Sequence, residues 1–146
     1  MLNVRFHESE KVIVSAPKLT SFHLSIKQPF VLSVDNSPFL DKLNVSLSPL
    51  YKKNLENLRA LIGILRELGN ARSLIVSPNI FKLLSKYYRY IKDQPSPFKS
   101  LESLIVAKKH KSFKISPQVM NFLIQDSPLA EEVSVKLPKG KGKRNA

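Results

Sequence analysis

The side chains of this 146-residue chain that could do chemistry are three histidines, eleven carboxylates, four tyrosines and 24 lysines and arginines. Their spacing decides what kind of chemistry. His7, His23 and His110 have no metal-type interval among them, and no cysteine is present to complete a thiolate site. The carboxylates are scattered. Asp41 and Asp126 each lie near a serine, which is ordinary turn and cap composition rather than a catalytic pair. With only four glycines there is no loop to cradle a phosphate. No catalytic residue, metal or cofactor is therefore expected, and the chain does not read as an enzyme.

The formal charge of +13 raises the possibility of a nucleic-acid partner. Five of the positive charges, Lys136, Lys139, Lys141, Lys143 and Arg144, crowd into the last eleven residues without an acid, leaving +8 spread over residues 1–135. Glycine between lysines makes the tail a flexible end that attracts phosphate by charge alone. The densest internal group, Lys108-Lys109-His110-Lys111, reads as a solvated loop. Tyr87, Tyr88 and Tyr90 interleave with Lys82, Lys86, Arg89 and Lys92, a pattern that can stack bases over phosphates. The simpler reading has Tyr87 packed inward and the others covering apolar surface with wet hydroxyls. Nucleic-acid binding is thus expected to be weak and indifferent to sequence.

The elements that would position these groups follow from apolar spacing. Leu55, Leu58, Ile62 and Leu65, widened by Leu61 and Leu68, predict a helix over about 54–68 that Gly69-Asn70 ends. Ser77-Pro78 starts a second helix with a stripe of Ile80, Leu83, Leu84, Tyr87 and Ile91; Gln94 to Pro97 ends it as a rigid connector. A last helix begins at Ser116-Pro117 and buries Val119, Met120, Phe122 and Leu123. Short strands are expected at Leu2-Asn3-Val4, Val12-Ile13-Val14 and Val133-Ser134-Val135, with a β-rich segment from Pro29 to Val34. No apolar run approaches 18 residues and no charged-then-apolar leader is present, so a soluble intracellular chain without membrane contact is expected.

One pattern organises the whole. Leu19-Phe22-Leu24, Leu40-Leu43-Val45, Ala71-Leu74-Val76 and Leu101-Leu104-Val106 share the spacing LxxLxL, and their first positions are 21, 31 and 30 residues apart, in or near the leucine-rich-repeat range. A single unit cannot bury three such side chains; stacked units can, with their strands aligned as a parallel sheet. The expected fold is an irregular α/β leucine-rich-repeat solenoid over residues 1–137, with strands on the concave face, helices on the convex face, and a disordered basic tail at 138–146. Between the core positions, His23, Asn44, Ile75 and Ile105 face outward as the candidate partner-binding column, flanked by Ser21, Ser25, Lys42, Ser46, Ser73, Ser77, Ser103 and Ala107. No polar-faced first repeat precedes Leu2, so the expectation is either part of a larger array or an N-terminal edge covered by another segment; the first predicts an open edge and marginal stability alone.

Several stretches resemble the C-terminal leucine-rich-repeat region of plant F-box proteins of the F-box/FBD/LRR type. These are Ser15-Ala-Pro-Lys-Leu-Thr-Ser-Phe22, Leu68-Gly-Asn-Ala-Arg-Ser-Leu-Ile-Val-Ser77, Pro97-Phe-Lys-Ser-Leu-Glu-Ser-Leu104 and the late Val119-Met-Asn-Phe-Leu-Ile-Gln-Asp-Ser-Pro-Leu-Ala130. The resemblance implies a protein-binding module, the substrate-recognising half of a ubiquitin-ligase receptor in nucleus or cytoplasm. The F-box by which a full member docks on the ligase adaptor has no counterpart in this sequence, so adaptor recruitment by this chain is not expected.

Overall fold

A computed structural model describes residues 2–6, 11–15, 18–35, 40–107, 114–128 and 132–136. In chain order the elements are β1 Leu2–Phe6, β2 Lys11–Ser15, β3 Ser21–Ile26, β4 Val31–Asp35, β5 Lys42–Leu47, α1 Leu55–Glu67, β6 Ser73–Val76, α2 Pro78–Lys86, α3 Tyr88–Ile91, β7 Ser103–Ala107, α4 Pro117–Ile124 and β8 Glu132–Lys136. Six strands form one parallel sheet in the order β1-β3-β5-β6-β7-β8; β2 and β4 pair in parallel as a second. Neither sheet closes into a barrel. The result is a mixed α/β fold in which β1 and β8 are the edges of the larger sheet among the described residues.

The register follows from the spacing of the apolar residues. Phe22 stands beside Leu43, Leu43 beside Leu74 and Leu74 beside Leu104, while Leu24, Val45, Val76 and Val106 make the parallel row two residues on. All eight are buried. A slip of one residue would turn both rows out to solvent, so burial fixes the pairing. The first positions of the pattern follow suit: Leu40, Ala71 and Leu101 are buried and Leu19 is partly so. The backbone of β1 and β8 continues the same register, Leu2 and Val4 opposite Phe22 and Leu24, and Val133 and Val135 opposite Leu104 and Val106.

The buried face of the large sheet needs a cover. In the first two units the segment after the sheet strand is a second strand, β2 or β4; in the next three it is helical. Helix α1 packs against β4 and so continues the outer layer where the small sheet ends. The side chain of Asn54 starts α1 by accepting the Asn57 N–H at 2.8 Å, with Glu56 in the first turn and Arg66 in the last, each favourable to the helix dipole. Leu58, Leu61, Ile62, Ile64 and Leu65 form its buried stripe. In α4, Pro117 occupies the first turn and the Ser116 hydroxyl accepts the Val119 N–H at 3.3 Å. Val119, Phe122 and Leu123 are buried, whereas Met120 is only partly covered.

Two sequence expectations are corrected here. The stripe from Ile80 to Ile91 is not one helix: α2 stops at Lys86, Tyr87 takes a non-helical conformation, and α3 resumes at Tyr88. Aromatic residues lose side-chain freedom in a helix, and three of them in four positions leave little propensity to resist the break. The Tyr87 hydroxyl donates instead to the Lys53 carbonyl at 3.2 Å. Second, Ser77 does not lie on the open face of the sheet. Strand β6 ends at Val76 because Pro78 opens α2, and the Leu47 backbone that would have gone unpaired is met by side chains: its N–H donates to Ser77 Oγ and its carbonyl accepts from Asn79 Nδ2, both at 3.0 Å.

The connector before β7 is held by two buried serines. Ser96 Oγ donates to the Leu123 carbonyl at 2.7 Å and accepts the Phe98 N–H at 3.0 Å; Ser127 Oγ donates to the Phe98 carbonyl at 3.3 Å and accepts the Leu101 N–H at 3.1 Å. With their hydroxyls satisfied, these polar side chains fit among apolar neighbours and tie the Ser96–Leu101 segment to the end of α4.

Candidate functional site

Strand alternation leaves one face of the large sheet clear of the helices. His23 pairs with Asn44, Asn44 with Ile75 and Ile75 with Ile105, so the four candidate residues form one continuous row across β3, β5, β6 and β7. Neighbouring strands lie about 4.8 Å apart, which gives four strands a row on the order of 14 Å long. Each of the four is half-buried by its neighbours, so the isoleucines are less exposed than expected. The row changes character along its length, from imidazole and amide at one end to two branched aliphatic side chains at the other.

The flanking rows are made mostly of serines. Ser25 and Ser46 share a hydrogen bond at 3.0 Å, and Ser73 and Ser103 share one at 2.9 Å. Each cross-strand pair satisfies its own hydroxyls; Ser73 and Ser103 form a low wall on one side of the isoleucines, and Ser25 and Ser46 one beside His23 and Asn44. Lys42, exposed between Ser21 and Ser73, is the one charged side chain on the described open face, that of β3, β5, β6 and β7. The arrangement suits a partner segment that offers hydrogen bonds at one end and apolar side chains at the other.

One residue before β5, β6 and β7, the rim carries a charge ladder that the sequence reading missed. Arg72 pairs with Glu102 at 3.1 Å and with Asp41 at 3.5 Å, joining three successive units. The hydrogen bond and charge of Glu102 hold the Arg72 guanidinium still more firmly protonated than usual, with a smaller contribution from Asp41. All three side chains are well exposed, so the ladder aligns the rim more than it stabilises the fold. Its signal in the sequence was the recurrence of charge just before each strand: Asp41, Arg72, Glu102.

The tyrosine-rich segment lies on the other, helical layer. Tyr87 and Tyr88 pack partly against the core, while Tyr90 is 38% exposed. Arg59 donates from Nε to the Tyr90 hydroxyl at 3.0 Å, its guanidinium 5.3 Å from the ring centre. The sheet row and the tyrosine segment are thus not brought together. His7, Lys108 to Lys111 and the tail at 138–146 lie outside the described residues.

No family model, curated protein or solved structure matches this chain. Among the described residues, no group of three or more His, Cys, Asp or Glu side chains could hold a metal ion, and no helix is long and apolar enough to cross a membrane.

Proposed function

We propose that this chain is a protein-binding module of leucine-rich-repeat type, a solenoid that captures a partner on the row formed by His23, Asn44, Ile75 and Ile105. The observation that carries the reading is the register. Four residues separated in sequence by 21 to 31 positions stand side by side on one open face, while the alternate positions of the same strands are buried. Repetition of one strand per unit on one side, with β4, α1, α2 and α4 succeeding one another on the other, is what a stacked array requires.

The resemblance of Ser15 to Phe22, Leu68 to Ser77 and the late helix to plant F-box/FBD/LRR proteins supports reading the partner as a protein substrate of a ubiquitin-ligase receptor. Under this reading the chain supplies recognition and not adaptor docking. A photo-crosslinking amino acid placed at Asn44 tests it. In plant extract it should yield a discrete protein adduct, whereas the same group at Glu56, exposed on α1, should not. Adducts of equal yield from both positions would overturn the assignment of the face, and the ligase adaptor as the adduct at Asn44 would overturn the division of labour.

A further inference from the structure

The break between α2 and α3 leaves an open groove of about 510 Å³ on the helical layer, lined in part by Leu55, Lys86, Tyr87, Tyr88, Arg89 and Tyr90. Its floor is aromatic and its charged lining groups are cationic. Between residues 79 and 92 the sequence carries Lys82, Lys86, Arg89 and Lys92 and no carboxylate; Asp93 follows, and Glu56 stands one residue beyond Leu55. Two hydrogen bonds anchor the groove's lining, since Lys86 Nζ and the Tyr87 hydroxyl both donate to the Lys53 carbonyl, at 3.0 and 3.2 Å. Lys86 Nζ also sits 5.5 Å from the Tyr87 ring centre. Arg59 braces Tyr90 through its hydroxyl, so the most exposed ring of the groove is held in place before any ligand arrives.

We infer that this groove binds a short segment of single-stranded nucleic acid, with a base against Tyr90 and phosphates beside Arg89 and Lys86. Charge complementarity selects an anionic occupant, and the +13 of the whole chain concentrates one near the surface. An exposed, braced aromatic ring selects bases over an acidic peptide, because every base has a face that can stack and an acidic side chain has none. A paired duplex keeps its bases stacked on each other and cannot present one to Tyr90. The site lies on the helical layer, away from the sheet row, and does not depend on the protein-binding reading.

The test is fluorescence anisotropy of a labelled oligothymidylate titrated with the full chain over a salt series. Tyr90→Ala should weaken binding about 5- to 150-fold, the loss expected of one base–aromatic stack, while Tyr90→Phe, which keeps the ring but gives up the Arg59 hydrogen bond, should lose clearly less. Arg89→Gln, at an exposed position, should flatten the dependence of log affinity on log salt by about 0.7, one phosphate contact on a single strand. Replacing Lys139, Lys141, Lys143 and Arg144 by glutamine should lower affinity without removing the difference between Tyr90→Ala and the native chain. Any of three results overturns the inference: equal affinity of Tyr90→Ala and native chain, binding abolished by the tail replacements alone, or displacement by polyglutamate as effective as by unlabelled oligothymidylate. A Tyr90→Ala chain that failed to fold would leave the Arg89→Gln salt slope to decide.

Discussion

Two glycines near the same helix should respond to alanine in opposite directions. Gly63 lies inside α1 on its exposed side, and a Cβ built there meets nothing within 4 Å. A helix-interior glycine costs about 0.5–1 kcal/mol relative to alanine, so Gly63→Ala should stabilise by about that amount. Gly69, just after the helix, is different. A Cβ there would stand 2.5 Å from the Pro97 carbonyl oxygen and 3.1 Å from that of Arg66, and both obstacles are backbone. Pro97 belongs to the connector that Ser96 and Ser127 pin to α4, and Lys99 donates its N–H to the Gly69 carbonyl at 3.3 Å, so the neighbour has little room to retreat. Overpacking of this kind costs about 1–3 kcal/mol. For a chain of this size each kcal/mol moves the melting temperature by about 2–4 °C, which gives a rise of about 1–4 °C for Gly63→Ala and a fall of about 2–12 °C for Gly69→Ala. Thermal melting by far-ultraviolet circular dichroism on the two variants and the native chain measures both. Gly69→Ala melting at or above the native temperature would refute the close approach of the two connectors. A fall for Gly63→Ala would show that its exposed side is covered.

The other expectations concern the core and one buried hydroxyl. Leu74 is fully buried in the central row of the sheet, so Leu74→Ala should cost about 2–5 kcal/mol against a total of about 5–15 kcal/mol; melting with light scattering should show early unfolding and self-association. A variant that melts near the native temperature would mean that the sheet does not depend on this row. Tyr51 is 2% exposed and donates to the Asn57 carbonyl at 2.7 Å, and burial pushes its phenol well above the ordinary tyrosine value. The folded chain therefore keeps a proton that the unfolded chain releases near pH 10, so this contribution is full below about pH 10 and is lost as the pH rises further towards the folded value. Tyr51→Phe should be less stable by about 0.5–1.5 kcal/mol at neutral pH and should close that gap above pH 10; a constant gap in denaturant titrations from pH 7 to 11 would contradict the burial.

The sheet was legible because its signal is redundant. The spacing of Leu40, Leu43 and Val45 recurs at Ala71, Leu74 and Val76 and again at Leu101, Leu104 and Val106, and the observed register aligns those positions. Helix α1 was legible to within a residue at each end because Asn54 caps it and Gly69 follows it. The break at Tyr87 was not, since apolar spacing carries no information about a hydroxyl reaching a carbonyl 34 residues away. Ser77 was misplaced for a similar reason: strand alternation put it on the open face, but proline at 78 ended the strand and freed Ser77 to bond Leu47. The row of His23, Asn44, Ile75 and Ile105 could be drawn from alternation alone, whereas its half-burial depends on the width of the flanking side chains. The Arg72 ladder and the paired serines Ser96 and Ser127 rest on distances that no local pattern encodes.

The central claim, that a protein partner is held on the open sheet face, is tested most directly by retention on immobilised chain. Native protein, the Ile75→Ser/Ile105→Ser variant and an outer-face control, Ile13→Ser/Val31→Ser, would be compared at equal loading for what they retain from plant extract. Ile13 and Val31 are each 61% exposed on the small sheet, so the control removes two aliphatic side chains without touching the row. Substituting both isoleucines removes the whole apolar end of the row, the part that would bury aliphatic surface of a partner. The account predicts a defined protein retained by native chain and control alike and lost from the row variant, with all three melting as folded proteins. Equal retention by the row variant and the native chain, or loss from the control alone, would contradict it.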